Sequence, residues 1–99
     1  MIIIKHWLYL QKFLIFRMSR ADALAYYLSL TAYRESLATQ LTLLRNNLRI
    51  MVRLGAPVAT RRQVAEQIQR VAEIHQDTVL EIRDLAENMR FPLPPALRD

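Results

Sequence analysis

The chain has 99 residues, a formal net charge of +5, and 53% apolar residues. This apolar content excludes a disordered tail, and one glycine with four prolines is too few breakers for an all-β domain. The lack of cysteine excludes disulfides, thiolate metal sites and cysteine nucleophiles, so we expect one small helical domain whose core is marginal without self-association or a partner.

Residues 1–18 form the most apolar segment of the chain. Lys5, His6 and Lys12 interrupt it, so it offers neither the roughly 20 apolar residues of a spanning helix nor the unbroken apolar run of a secretory signal. We predict an apolar helix packed on the rest of the chain or on a second copy, although the β-branched start also suits a strand. Two other hypotheses are contact with a membrane surface and a non-native extension ahead of a start at Met18.

The first predicted helix covers about residues 20–54. Ser19 is a typical N-cap, and Asp22 is the carboxylate three positions later that favours a helix start. No glycine or proline follows until Gly55, which is typical of the left-handed residue after a helix, and Pro57 prevents continuation.

The second predicted helix covers about residues 60–90. Thr60 and Gln63 match a capping box, in which each side chain satisfies a backbone N–H at the helix start. Three prolines end the helix. Residues 92–99 are therefore predicted to be an extended, Pro-rich tail docked on a helical hairpin of residues 19–91.

Both predicted helices carry the 4,3 spacing of a coiled-coil seam, from Ala23 to Met51 in the first and from Val64 to Met89 in the second. When the two are folded antiparallel, facing positions lie symmetrically about Ala56, within the turn. The predicted fold class is therefore all-α, an antiparallel αα-hairpin whose helices cross at roughly 20°. With the N-terminal helix it would form a three-helix unit, and with a second copy a dimeric four-helix bundle.

Polar residues interrupt the predicted seam in two adjacent layers, where Arg34 faces Thr78 and His75 occupies the next layer. A buried guanidinium needs a carboxylate, and Glu81 or Asp77 is the expected partner of Arg34. We interpret this polar core layer as a device that sets the helix register. The other hypothesis is a ligand-binding or pH-sensitive site, because histidine changes charge near neutral pH.

Apolar residues outside the seam are too numerous for two helices to cover, which predicts an interaction surface for a further helix. The surface consists of Leu24, Leu28, Leu43, Ile50, Ile74, Val79 and Leu80. The covering element is predicted to be residues 1–18, a second copy of the chain, or both.

Basic charge is concentrated at the turn of the predicted hairpin. The residues are Arg45, Arg49, Arg53, Arg61 and Arg62. A solvated surface is the commoner explanation of such a run, and the other hypothesis is an anion-binding tip that contacts nucleic-acid phosphates or an acidic protein. No helix-turn-helix with a recognition helix is visible, so nucleic-acid binding is kept as an alternative.

Side chains suited to catalysis are few. His6 and His75 are the only imidazoles, the spacing of histidine and glutamate matches no metal motif, and a single glycine excludes glycine-rich phosphate loops. The chain resembles small all-helical mutases in length and in placing arginine within a helical bundle, but Arg34 has no second cation near it in the predicted core. We therefore expect no enzyme activity, metal, cofactor or small-molecule substrate.

The run from Leu44 to Arg49, a glycine turn and a second amphipathic helix are similar, in a loose way, to the small hairpin subunits that act as co-chaperones of needle proteins in type III secretion. The similarity covers about residues 37–90 and implies that a hairpin of this size can shelter a helix of another protein. We predict a non-enzymatic interaction module, such as an adaptor, co-chaperone or inhibitor protein. An intracellular, cytoplasmic location is expected, with peripheral membrane association as the alternative.

Overall fold

The computed structural model describes residues 19–98. Within this range the chain is all-α: helix α1 is Arg20–Arg53, helix α2 is Val58–Met89, and a short 3₁₀ turn is Pro95–Leu97. The two helices pack against each other as a hairpin, which confirms the predicted αα-hairpin. The predicted N-terminal apolar helix, residues 1–18, lies outside the described residues.

The start of α1 is capped as its sequence predicts. Ser19 has an extended backbone conformation, and the backbone N–H of Asp22 donates to its Oγ at 3.1 Å. This bond satisfies one of the unpaired N–H groups of the first turn. The Asp22 carboxylate also lies where the helix dipole is positive, which stabilises this end of the helix.

The end of α1 is a Schellman motif. Gly55 has a φ of +72°, and its N–H donates to the carbonyl of Val52 at 3.2 Å. The N–H of Ala56 donates to the carbonyl of Met51 at 2.9 Å. These two bonds satisfy carbonyls that the helix leaves unpaired, and the predicted left-handed glycine is confirmed.

The start of α2 differs from the prediction. Its first residue is Val58, directly after Pro57, and the N–H of Arg61 donates to the Pro57 carbonyl at 3.1 Å. Thr60 and Gln63 therefore lie inside the helix, and the predicted capping box at these residues is wrong. Because its ring fixes φ and its carbonyl accepts the first helical bond, Pro57 can precede the helix without a side-chain cap.

Most of the core lies in the half of the hairpin farthest from the turn, and it extends past the middle of α1 to Leu41. In α1 its buried members all belong to the predicted seam: Ala23, Tyr27, Leu30, Leu37 and Leu41. In α2 they are Thr78, Val79, Glu81, Ile82, Leu85 and Ala86. Nearer the turn, seam residues such as Leu44, Leu48 and Ile68 are only half-buried. Burial therefore decreases along the hairpin toward Gly55.

The chain after α2 turns back onto the hairpin. Arg90 takes the left-handed conformation with a φ of 57°, and Phe91 and Leu97 are buried in the core. The helix stop is as predicted, but Pro95–Leu97 form a 3₁₀ turn rather than an extended tail. An extended chain would carry Leu97 past the core, whereas the turn folds its side chain onto it.

Candidate interaction surfaces

The four residues of the predicted polar core layer differ in burial. Arg34 and His75 are half-buried, whereas Thr78 and Glu81 are buried. The hydroxyl of Thr78 donates to the Ile74 carbonyl at 2.8 Å, so its hydrogen bond is satisfied within α2. Position 81 is rotated by about 120° from position 75 around α2, which separates the glutamate from the histidine.

His75 lies beside two arginines of α1. Burial lowers the pKa of His75 below its ordinary value of 6.5, and the charges of Arg34 and Arg45 lower it further, so the ring is neutral at pH 7. Its Nε2 and the Nε of Arg34 are buried without a hydrogen-bond partner in the described part of the chain. The predicted pairing of Arg34 with Asp77 or Glu81 stays a prediction.

Glu81 lies near Tyr26. Burial, and then the charge of Glu81, raise the pKa of Tyr26 to about 12, because a phenolate is disfavoured in a buried site beside a carboxylate. The Tyr26 hydroxyl is buried and has no hydrogen-bond partner within residues 19–98. Two groups of electrostatic neighbours therefore lie between the helices, His75 with Arg34 and Arg45, and Tyr26 with Glu81.

The basic residues at the turn are mostly exposed to solvent. Arg45, Arg49, Arg53 and Arg62 are exposed, and Arg61 is half-buried. The Nε of Arg61 is buried without a hydrogen-bond partner among the residues that the structure describes. The tip therefore presents mainly solvated guanidinium groups, which suits long-range attraction of an anion better than a defined binding site.

Two members of the predicted interaction surface are not exposed. Val79 is only 6% exposed and Ile74 is half-buried. The prediction for Val79 is wrong because this residue packs in one buried cluster with Ile82 and with Leu97, a tail residue that the repeat pattern of the helices does not place. The usable apolar surface is therefore smaller than the sequence predicts.

The exposed members of that surface lie on two separate faces. Leu28, Leu43 and Ile50 are 57%, 58% and 50% exposed and lie on the side of α1 opposite the seam, which we call the α1 outer face. Leu24 lies at the edge of this face, whereas Leu80 is exposed on α2. Most of the exposed apolar side chains thus belong to α1.

The tail forms contacts that the sequence does not predict. The Tyr27 hydroxyl donates to the Pro92 carbonyl at 2.7 Å, and its ring centre lies 5.1 Å from that of Phe91. Arg20 donates to the Met89 carbonyl at 2.6 Å, and its guanidinium carbon lies 4.9 Å from the centre of the Phe91 ring. The start of α1 and the end of α2 are therefore tied together. An aromatic residue directly after the helix stop was the available signal.

A groove of about 580 Å³ lies between the tail and the last turns of α2. Its walls include Arg83, Glu87, Phe91, Leu93 and Arg98. Arg98 is held in place because its Nε donates to the Leu93 carbonyl at 2.9 Å. The described lining residues include no histidine, serine, threonine or cysteine.

The described residues also contain no metal-site candidate and no membrane-spanning candidate. No group of three or more histidine, aspartate or glutamate side chains is placed to hold a metal ion within residues 19–98. Over the same range, no helix combines the length and the apolar character needed to cross a membrane.

Comparison with known proteins finds no matching family model, curated protein or solved structure. The function is therefore inferred from the side chains that the structure places on the surface of the hairpin.

Proposed function

We propose that the protein is a non-enzymatic interaction module that binds a helix of another protein through the α1 outer face. The observation that carries this proposal is the exposure of Leu28, Leu43 and Ile50, each at least half exposed on one side of one helix. A solvent-facing side of a helix normally carries charged residues, whereas an apolar stripe marks the side that packs. One such stripe of α1 packs against α2, and Leu28, Leu43 and Ile50 lie on the side that α2 does not cover.

Burial of these side chains supplies part of the binding free energy. Fully burying a leucine or isoleucine stabilises by about 1.5 to 3 kcal/mol, so covering the exposed halves of three side chains contributes about 2 to 4 kcal/mol. Association itself costs several kcal/mol, so tight binding requires further contacts from the surrounding surface. A partner helix that lies along α1 would provide them, as expected for an adaptor, co-chaperone or inhibitor protein.

A second candidate function is the binding of phosphate groups by the turn of the hairpin. Arg45, Arg49, Arg53 and Arg62 are exposed there and carry the same charge. Like charges held close together raise the local positive potential, which attracts a polyanion such as a nucleic acid. Phosphate contacts weaken steeply with salt, whereas apolar helix contacts do not, so the two functions are separable.

Affinity capture with paired variants tests the two functions. A chain with Leu43→Glu and Ile50→Glu should no longer capture the partner protein that the wild-type chain captures, because burying a charged side chain of the α1 outer face in the contact is unfavourable. A chain with Arg45→Glu and Arg49→Glu is the matched control, since it also changes two exposed residues of α1, and it should keep the bound protein. Circular dichroism should show wild-type helix content in both variants.

The reverse result would identify the second function. Loss of binding only in the arginine variant, together with release of a bound nucleic acid by salt, would show that the tip is the binding surface. Retention of the bound protein by both variants would contradict a role for the α1 outer face.

A further inference from the structure

The groove between the tail and the last turns of α2 combines apolar walls with charged groups. Its apolar lining is Ala86, Phe91, Pro92 and Leu93, and its charged lining is Arg83, Glu87 and Arg98. The groove volume of about 580 Å³ lies within the range of roughly 300 to 1,000 Å³ that is typical of ligand pockets. An apolar cleft with a few charged groups is the usual form of a binding site.

The tail wall of the groove is fixed before any ligand binds. The Tyr27 hydroxyl donates to the Pro92 carbonyl at 2.7 Å, and the ring centres of Tyr27 and Phe91 lie 5.1 Å apart. Arg98 donates from its Nε to the Leu93 carbonyl at 2.9 Å. Because these contacts already order the tail, a ligand does not have to offset the entropy of ordering it.

Arg98 and Arg83 bring positive charge to the groove. The bond to Leu93 uses the Nε–H of Arg98, and the two Nη nitrogens of the same guanidinium carry four further N–H donors. Arg83 is exposed, so its guanidinium is accessible from solvent. Guanidinium groups bind carboxylates through charge-assisted hydrogen bonds. Two of them beside apolar walls therefore favour a ligand that has a carboxylate next to an apolar group.

Glu87 adds a hydrogen-bond acceptor of opposite charge to the groove. It is exposed and follows Arg83 by four residues, which places it about 6 Å farther along the same side of α2. An ionised carboxylate only accepts hydrogen bonds, so Glu87 repels a second carboxylate but binds an N–H group. The lining therefore favours a ligand that offers a carboxylate, an N–H donor and an apolar side chain together.

The last residue of a peptide chain carries these three groups within a few bonds of one another. Its carboxylate is free, its backbone N–H is a donor, and its side chain lies between them. A fatty acid has the carboxylate and the apolar group but no N–H donor. An acidic side chain inside a peptide has the carboxylate without an apolar group on the same residue. A chain terminus therefore matches the lining better than either of these ligands.

We propose that the groove binds the C-terminus of a partner protein whose last residue is large and apolar. In this arrangement Arg83 and Arg98 bind the terminal carboxylate, and Glu87 accepts from the last backbone N–H. The apolar side chain packs against Phe91 and Leu93. This inference goes beyond the proposed function, because the groove belongs to α2 and the tail rather than to the α1 outer face.

Three small probes test the groups of the ligand one at a time. N-acetyl-leucine has the carboxylate, the N–H and the side chain, N-acetyl-leucinamide lacks the charge, and 4-methylpentanoate lacks the amide. Titration of the full chain, followed by its backbone NMR signals, should give a dissociation constant of about 1 to 10 mM for N-acetyl-leucine, as expected from its few atoms. N-acetyl-leucinamide should bind about tenfold more weakly. The affinity of 4-methylpentanoate should be lower by about threefold or more.

The signals that shift identify the binding site. Those of Phe91 and Leu93 should move on addition of N-acetyl-leucine, whereas shifts confined to the turn next to Gly55 would overturn the proposal. The absence of saturable binding would also overturn it. Equal affinity for the amide would contradict the guanidinium contacts. Equal affinity for 4-methylpentanoate would contradict binding of a chain terminus and identify a simple apolar carboxylate as the ligand.

A pair of arginine variants separates the groove from general charge attraction. Arg83 and Arg70 are both exposed on α2, and of the two only Arg83 lines the groove. Arg83→Leu should weaken binding of N-acetyl-leucine by about tenfold, because one of the two guanidinium groups is lost. Arg70→Leu is the matched control with the same change of charge and should bind as the wild type does. Equal weakening by both substitutions would overturn the proposal.

Glu87→Ala tests the contact with the backbone N–H. The variant should bind N-acetyl-leucine and 4-methylpentanoate with equal affinity, because the acceptor is lost while both arginines remain. Glu87 is exposed on α2, and alanine is the best helix former, so the fold should be retained. A variant that keeps the wild-type preference for N-acetyl-leucine would overturn the assignment of Glu87 and with it the proposed chain terminus.

Discussion

At the scale of single residues, the polar side chains between the helices determine how the hairpin responds to pH. His75 lies near the charges of Arg34 and Arg45, and Tyr26 lies near the charge of Glu81. In both clusters burial and a neighbouring like charge disfavour the charged form of the titrating group. The contribution of each group to the pH dependence of stability can therefore be tested with one substitution, measured over the pH range in which that group titrates.

Acid should destabilise the folded chain through His75. Its folded-state pKa is lowered from 6.5, so the unfolded chain binds more protons than the folded chain as the pH falls below 6.5. The stabilising effect of the neutral ring is complete above this pH and is lost as the pH falls toward the folded-state pKa. Urea unfolding at pH 7.5 and pH 5.5 should show a smaller loss of unfolding free energy in His75→Gln than in the wild type. Equal losses would contradict the burial of His75 beside the arginines.

Alkali should destabilise the folded chain through Tyr26. The unfolded chain ionises this tyrosine near pH 10 and the folded chain only near pH 12, so stability falls as the pH rises above 10. Tyr26→Phe should remove this loss and should change the unfolding free energy at pH 7 by less than about 1 kcal/mol, because the hydroxyl has no hydrogen-bond partner in residues 19–98. Tyr33→Phe, at a residue that is 48% exposed, is the control and should unfold in alkali as the wild type does.

At the scale of elements, the two helices are held at the open end of the hairpin by the tail. The Tyr27 hydroxyl donates to the Pro92 carbonyl, and Arg20 donates to the Met89 carbonyl. The Phe91 ring contacts both the Tyr27 ring and the Arg20 guanidinium. These contacts join the first turns of α1 to the last residue of α2 and to the tail. The tail is therefore part of the core and contributes directly to the stability of the hairpin.

Removal of the Phe91 ring should destabilise the chain strongly. Phe91→Ala should lower the unfolding free energy by about 3 kcal/mol, because the ring is buried and contacts both Tyr27 and Arg20. Leu93→Ala, at a half-buried residue of the same tail, should cost about 1 kcal/mol. Denaturant unfolding of both variants measures the difference, and similar small losses would show that the tail is not packed as described.

At the scale of the whole molecule, stability should be distributed unevenly along the hairpin. The buried cluster combines both helices and the tail at the open end, whereas seam residues near the turn are half-buried. Two helices cover only the side chains that lie between them, and the edges of their contact remain open to water. Without a further layer, the side chains near the turn therefore keep part of their surface exposed. The turn end should therefore open first.

Substitution of matched isoleucines should show this gradient. Ile82→Ala should cost about 4 kcal/mol, because Ile82 is fully buried in the core. Ile68→Ala should cost about 1 to 2 kcal/mol, because Ile68 is half-buried and the vacated space is open to water. Hydrogen exchange should also be faster in the helical turns next to Gly55 than around Ile82. Equal costs would mean that an additional layer covers the turn end.

Much of the fold could be predicted from local patterns. The Ser19 cap and the left-handed Gly55 depend on interactions with residues a few positions away, so the residues themselves reveal them. The hairpin follows from two repeats of matching period, because the apolar side of each helix must be buried. The repeat also identified the buried residues of α1, and the exposed leucines of its outer face, since one helix has a regular angular spacing.

Other features depend on contacts between residues far apart in the chain. The burial of Val79 and the 3₁₀ turn that buries Leu97 follow from the folded tail. The pKa shifts of His75 and Tyr26 follow from burial and from charged side chains on the other helix. Spacing along a helix gives the direction of a side chain, whereas its burial and its charge depend on what packs against it. Only the arrangement of the two helices and the tail in space supplies those neighbours.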